Sequence, residues 1–164
     1  MIVNRIAEPA ADGAAIAAVI AAAFEQPDEA ELVARLRAEG AMALELVAAD
    51  GAEIVGHIAF SRLVAPAGAI ALAPVAVHPR RHAQGIGGGL IRDGIARLAA
   101  AGAPAVIVLG EPDYYQRFGF RAAAVAHLGS PFPPAFLMGL DLTPGWLAAQ
   151  SGGLAYPRAF DLAD

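Results

Sequence analysis

The sequence predicts an α/β fold in which a mixed, mostly antiparallel sheet is flanked by helices. Three observations predict it. Alternating apolar residues between Met42 and Phe60 describe an antiparallel meander. A buried strand, Ala69 to Val77, runs through a glycine-rich turn into a helix beginning near Ile86. That helix leads to a second apolar run, Ala105 to Leu109, which a right-handed crossover would place parallel to the first.

The elements follow in order. Ile2 to Ile6 reads as a first strand. Asp12 is a candidate N-cap for a helix carrying Ile16, Val19, Ile20 and Phe24 at helical spacing. Asp28-Glu-Ala-Glu31 has the form of a capping box, Leu32, Val33 and Leu36 give the second helix its apolar stripe, and Gly40 ends it. In the meander, Asp50-Gly51 is a hairpin turn. Ala69 to Val77 is apolar on both faces, as a central strand would be, and Pro74 within it must mark a bulge, because proline cannot donate to a ladder. The helix from Ile86 runs to about Ala101 and stops at Gly102 and Pro104. Pro112 to Phe118 reads as a short helix, Phe120 to Ala126 and Phe136 to Leu142 as two more strands, with a proline-rich linker, Ser130 to Pro134, between them. Gly153 to Phe160 is either an edge strand or a packed tail.

Composition narrows the function. At 164 residues with no internal repeat or dividing linker, residues 1–164 read as a single domain. The chain is 57% hydrophobic with a mean hydropathy of +0.53. The apolar run Leu63 to Val77 is nevertheless shorter than the ~18 residues of a membrane span and is broken by prolines. There is no signal-peptide pattern and no cysteine, so thiolate and disulfide chemistry are excluded and a cytoplasmic location is expected. A net charge of −5 and sparse aromatics argue against nucleic acid as a partner. The four histidines, at 57, 78, 82 and 127, lack metal-ligand spacing, and no metal is expected.

Chemistry concentrates in Val75-Ala-Val-His-Pro-Arg-Arg-His-Ala-Gln-Gly-Ile-Gly-Gly-Gly-Leu-Ile91. The first N–H groups of a helix have no intrahelical partner and carry the positive end of its dipole, so the turn suits a phosphate or pyrophosphate. Gly85, Gly87 and Gly88 allow close approach, and Arg80 and Arg81 add charge. A P-loop is excluded because the chain contains no lysine. A dinucleotide fingerprint fails at Leu90, which stands where its third small residue belongs, although Glu111 lies at a ribose-binding distance along the chain.

With Val77-His78-Pro79, then Gly85 and Gly87, and later Tyr115-Gln-Arg-Phe-Gly-Phe120, the chain resembles the GNAT superfamily of N-acyltransferases across nearly its whole length. His82 stands where that family usually has glutamine or arginine, and Gly110-Glu-Pro-Asp113 where it usually has an asparagine. The resemblance implies a central sheet whose parallel strands splay, acetyl-CoA as cosubstrate, and transfer of an acetyl group to a primary amine by direct attack. It implies that main-chain groups of Val75, Ala76 and Val77 meet the pantetheine arm, and that His82, Ala83, Gln84, Gly85, Ile86, Gly87 and Gly88 surround the pyrophosphate. A backbone N–H near Val75 would serve as oxyanion donor, and Tyr115 would protonate the departing thiolate, with Tyr114 as the adjacent alternative. Successive helix positions differ by about 100°, so the two tyrosines cannot point at one sulfur.

Glu25, His57, Glu111 or a water chain remain open as the base. The acceptor would be a small-molecule or peptide amine, and the apolar C-terminal strands leave room for a homodimer. The alternative reading is a noncatalytic acyl-CoA-binding or regulatory module of the same fold.

Overall fold

The computed structural model describes residues 1–161. Six strands lie in chain order in one sheet: β1 (Ile2–Ile6), β2 (Met42–Asp50), β3 (Glu53–Arg62), β4 (Ile70–Val77), β5 (Ala105–Leu109) and β6 (Leu137–Asp141). All neighbouring pairs are antiparallel except β4 with β5. Helices α1 (Pro9–Phe24) and α2 (Asp28–Ala38) cover one face, and α3 (Ile86–Ala100) covers the other.

The period-2 alternation of the strands decides which side chains meet which layer. Leu46, Ile58, Phe60 and Leu72 join Leu90, Ile91 and Leu98 of α3, while Val47, Ala59 and Ala76 join Ile16, Val19 and Ile20 of α1. At Gly94 the helix comes so close to the sheet that a methyl group there would lie 2.3 Å from the Phe60 ring.

Both long helix ends predicted from glycine close in the same way. After α2, Gly40 (φ 71°) donates to Arg37 O and Ala41 to Leu36 O; after α3, Gly102 (φ 89°) donates to Ala99 O and Ala103 to Leu98 O. Each satisfies carbonyls that the helix leaves free.

The helix starts differ from expectation. Helix α1 begins three residues before Asp12, with Pro9 at its first position, where a missing N–H costs nothing. Asp12 lies inside the first turn, and its carboxylate reaches back to the Glu8 N–H at 2.8 Å and takes two bonds from Arg5 at 2.7 and 2.9 Å. Helix α2 is capped by Pro27 rather than Asp28, which is already helical. The β2–β3 turn is Gly51-Ala52, since Asp50 still pairs with Glu53.

The strand predicted over Phe120 to Ala126 is absent. Arg121 makes an isolated bridge to Gly139, and Ala122–Ala124 turns into a 3-10 helix. Three successive alanines have neither the branched side chains nor the alternation that hold a strand on a sheet. The segment from Gly153 packs as a tail, touching the body through bridges at Gly153 and Ala155, and ends in the turn Arg158–Phe160.

Candidate active site

The site begins with the bulge. In the β3–β4 ladder Ile58 pairs with Val75 and Phe60 with Leu72, so Ala73 and Pro74 together oppose Ala59. Pro74 sits where no ladder donor is needed. On the other side, β4 pairs with β5 only from Ile70 to Leu72. Beyond Leu72 the two parallel strands part.

Alternation then assigns the free main-chain groups. The His78 N–H donates to Val55 O, so His78 and Ala76 direct their backbone groups toward β3. Val75 and Val77 therefore direct theirs into the gap. One of these, Val77 O, accepts a bond from His82 Nε2 at 3.0 Å, which fixes the proton on that nitrogen.

The glycine turn opens beside the gap. Its first bend is a 3-10 turn, Pro79–Arg81; Ala83 (φ 64°) and Gly85 (φ 78°) then take left-handed conformations before α3 starts. The first α3 amide with a helical partner is that of Gly89, bonded to Gly85 O at 3.0 Å. The Ile86, Gly87 and Gly88 N–H groups are left at the positive end of a 15-residue helix. Gly85 is exposed and Gly87 and Gly88 are half-buried, so the turn is open to a ligand.

A cavity of about 560 Å³ joins these features. Val75, Ala76, Val77, His82, Ala83, Gly85, Ile86, Gly87 and Gly88 all line it, whereas the exposed Gln84 does not. The charge at this cavity differs from the sequence reading. Arg81 is held by Asp50 at 2.9 Å and Glu53 at 3.2 Å, and Arg80 lies outside the wall. Arg92 and Arg117 supply guanidinium groups instead, stacked over the rings of Phe118 at 4.9 Å and Tyr114 at 4.7 Å. Among the described residues neither is ion-paired. Arg92 lies one helical turn beyond Gly88, which brings its guanidinium to the glycine turn.

A second cavity, of about 390 Å³, lies on the other side of Phe24 and Val75, residues common to both walls. Tyr115 lines it, while Tyr114 lines the first. Tyr115 owes its place to Gly110, where a Cβ would lie 2.4 Å from the phenol ring, and to Phe120, which meets that ring edge-on at 5.9 Å. Burial, with Tyr114 alongside, pushes the Tyr115 phenol up to about 12. It is therefore a neutral proton donor at any ordinary pH. Gly119, whose φ is 97°, ends the turn that follows and lets Phe120 return into the core.

The three side chains considered as bases are elsewhere. Glu25 and Glu111 are exposed helix-end residues, and neither lines either of these two cavities. His57 is fully buried, with Nε2 2.6 Å from Glu45 Oε2. Arg37 Nε bonds the other carboxylate oxygen at 3.0 Å. Burial alone would raise the Glu45 carboxyl, but the bonds from His57 and Arg37 outweigh it and hold the group below its usual range. This cluster ties α2 to the sheet. The carboxylate that does line the second cavity is Glu29, which sequence reading had treated only as part of a capping pattern.

A sheet split around a main-chain ladder, with a glycine-rich helix start beside the split, defines an acyltransferase architecture. Comparison with known proteins agrees. A family model described as an acetyltransferase (GNAT) domain matches residues 43–122. The uncharacterized N-acetyltransferase YhbS of Escherichia coli K12 is 36% identical over 126 residues, covering 74% of this chain and 75% of that protein. The crystal structure of E. coli YhbS in complex with CoA superposes with a TM-score of 0.92 at 31% identity, covering 99% of this chain and 93% of the other. A GNAT acetyltransferase from Brucella melitensis in complex with acetyl-CoA gives 0.84 at 38% identity, covering 98% and 99%. The chain belongs to the GNAT acetyltransferase family. No described helix is long and apolar enough to cross a membrane.

Proposed function

We propose that this protein transfers an acetyl group from acetyl-CoA to a primary amine, using the two cavities as donor and acceptor sites of one ternary complex, the whole chain acting as one domain. The observation that carries the reading is the pairing of β4 with β5 ending at Leu72, beside the unpartnered α3 amides. The N–H groups of Ile86, Gly87 and Gly88 suit the pyrophosphate, with Arg92 and Arg117 as counter-charges. The Val75 and Val77 main-chain groups in the gap suit the amide-bearing pantetheine arm, which would lie there as an added strand.

The residues have separate tasks. Phe24 and Val75, shared by both cavities, mark where the thioester meets the amine. As the neutral amine nitrogen bonds to the thioester carbon, negative charge grows on the carbonyl oxygen, which accepts a hydrogen bond from the Val75 N–H. When the C–S bond breaks, Tyr115 donates its phenolic proton to the departing sulfur and recovers one from the acylated nitrogen through solvent. Juxtaposing the two reactants supplies much of the remaining acceleration. The acceptor is a small-molecule or peptide amine, and water leads its excess proton away.

The test is thiol release from acetyl-CoA in the presence of an amine panel, with thermal melting alongside. Acetyl-CoA raises Tm, NAD and ATP do not, and at least one amine releases thiol. Tight CoA binding without release across a broad panel would make the protein a binding module.

A further inference from the structure

The acceptor cavity has a chemistry of its own. Apart from main-chain groups at the β4 bulge, its wall is apolar or aromatic, and among the described residues Glu29 is the sole charged side chain on it. Three aromatic rings from the C-terminal third form one edge-to-face stack: Phe132 meets Tyr156 at 4.9 Å and 84°, and Tyr156 meets Phe160 at 5.1 Å and 62°. Burial pushes the Tyr156 phenol up to about 12, so it contributes a neutral ring and no charge.

Glu29 lies in the first turn of α2. Gln26 Nε2 holds both carboxylate oxygens, at 3.0 and 3.1 Å, and so fixes the group at the cavity wall.

We propose that the acceptor is a small monocationic amine whose body is a flat apolar group, with Glu29 receiving the ammonium and the Phe132–Tyr156–Phe160 stack receiving the body. This inference rests on the transferase reading only for the location of the acceptor. It follows from charge counting and shape. One carboxylate neutralises one ammonium, and a polycation would leave further charges facing apolar walls with nothing to pair. Rings meeting edge-to-face leave faces and edges that suit another aromatic group, and an ammonium near such faces gains further attraction. The volume, about 390 Å³, lies at the small-molecule end of binding cavities.

The protein saturated with CoA is titrated calorimetrically with 2-phenylethylamine, its neutral analogue 2-phenylethanol, spermidine and kanamycin. Thiol release from acetyl-CoA is measured with the same amines. The expected result is that 2-phenylethylamine binds at least tenfold more tightly than spermidine or kanamycin. Glu29→Gln then weakens 2-phenylethylamine at least tenfold while leaving 2-phenylethanol and the acetyl-CoA melting shift unchanged, and Phe160→Ala weakens both aromatic ligands. Equal or better binding of the polycations, no measurable binding of 2-phenylethylamine, or indifference to Glu29→Gln overturns the proposal, even if some other amine releases thiol. Selective, Glu29-dependent binding with no thiol release supports it and counts against the transferase reading alone.

Discussion

The rings of Tyr114 and Tyr115 stand at 88° to each other with centroids 5.0 Å apart, and each closes a different cavity. Neighbours in sequence thus have separable effects. With Tyr115 in the proposed role of acid, Tyr115→Phe is expected to lower kcat by about 10²-fold while leaving KM for acetyl-CoA nearly unchanged. Tyr114→Phe acts on the donor side and changes KM for acetyl-CoA more than kcat. Steady-state kinetics of the two variants check this, and a Tyr114→Phe variant carrying the kcat defect instead would move the acid to that residue.

The raised Tyr115 pKa has a pH consequence of definite sign. A phenol whose pKa lies at about 12 keeps its proton across the working range, so its deprotonation removes no activity below that value. The kcat profile in saturating substrates is therefore expected to rise with pH as the amine loses its proton, with no fall through about pH 10. An alkaline fall centred near the ordinary phenol value of about 10 would show that the responsible group is another.

Gly87 separates stability from function. It is helical, and a methyl group there would meet its nearest neighbours, Tyr114 Oη and Val77 Cγ2, at an unstrained 3.5 Å. Gly87→Ala is expected to raise stability by up to about 1 kcal/mol through helix propensity. The same methyl would lie among Gly87, Val77 and Tyr114 on the wall of the proposed donor cavity, and the Kd for acetyl-CoA is expected to rise about tenfold. Thermal melting and calorimetry on one preparation test both halves.

What was legible in the sequence tracks how local each cause is. Pro74 announced the bulge because a missing N–H is a property of one residue, and the glycine turn announced itself because left-handed φ is a property of one residue. The end of pairing at Leu72 came with the family resemblance and not with any residue. Asp12 and Asp28 were misplaced within their helices because several acidic residues near a helix start compete for the cap, and Pro9 and Pro27 settled the boundary. Glu29 and Arg92 were missed for another reason. Their importance comes from what lies opposite: for Glu29, an aromatic cluster more than 100 residues away.

Gly94 is the complement of Gly87 within the same helix. A Cβ at Gly94 would come within 2.3 and 2.4 Å of the Phe60 ring, which is fully buried and cannot swing aside. Gly94→Ala therefore loses about 1–3 kcal/mol to overpacking, more than the helix-propensity gain returns. A Tm several degrees below that of the parent protein is expected, with Phe60→Leu restoring part of the loss in the double variant.

Asp12 links the α1 start to β1, and its stabilising effect has a defined pH window. The hydrogen bonds from Arg5, then that from the Glu8 amide, lower its pKa to about 2 against the burial that opposes them. A carboxyl with a depressed folded-state pKa binds a proton more readily when the chain is unfolded. Its contribution is therefore complete above the unfolded value of about 3.9 and is lost as pH falls toward 2. Asp12→Asn keeps the shape but removes the charge and one acceptor, so the variant should melt below the parent protein at pH 7. The gap should persist down to about pH 4 and close between there and pH 2, as the parent carboxyl itself takes up a proton. Paired melting curves across that interval decide it: a gap that stays constant to pH 2 would assign the stabilisation to shape and hydrogen bonding, with no contribution from the charge facing Arg5.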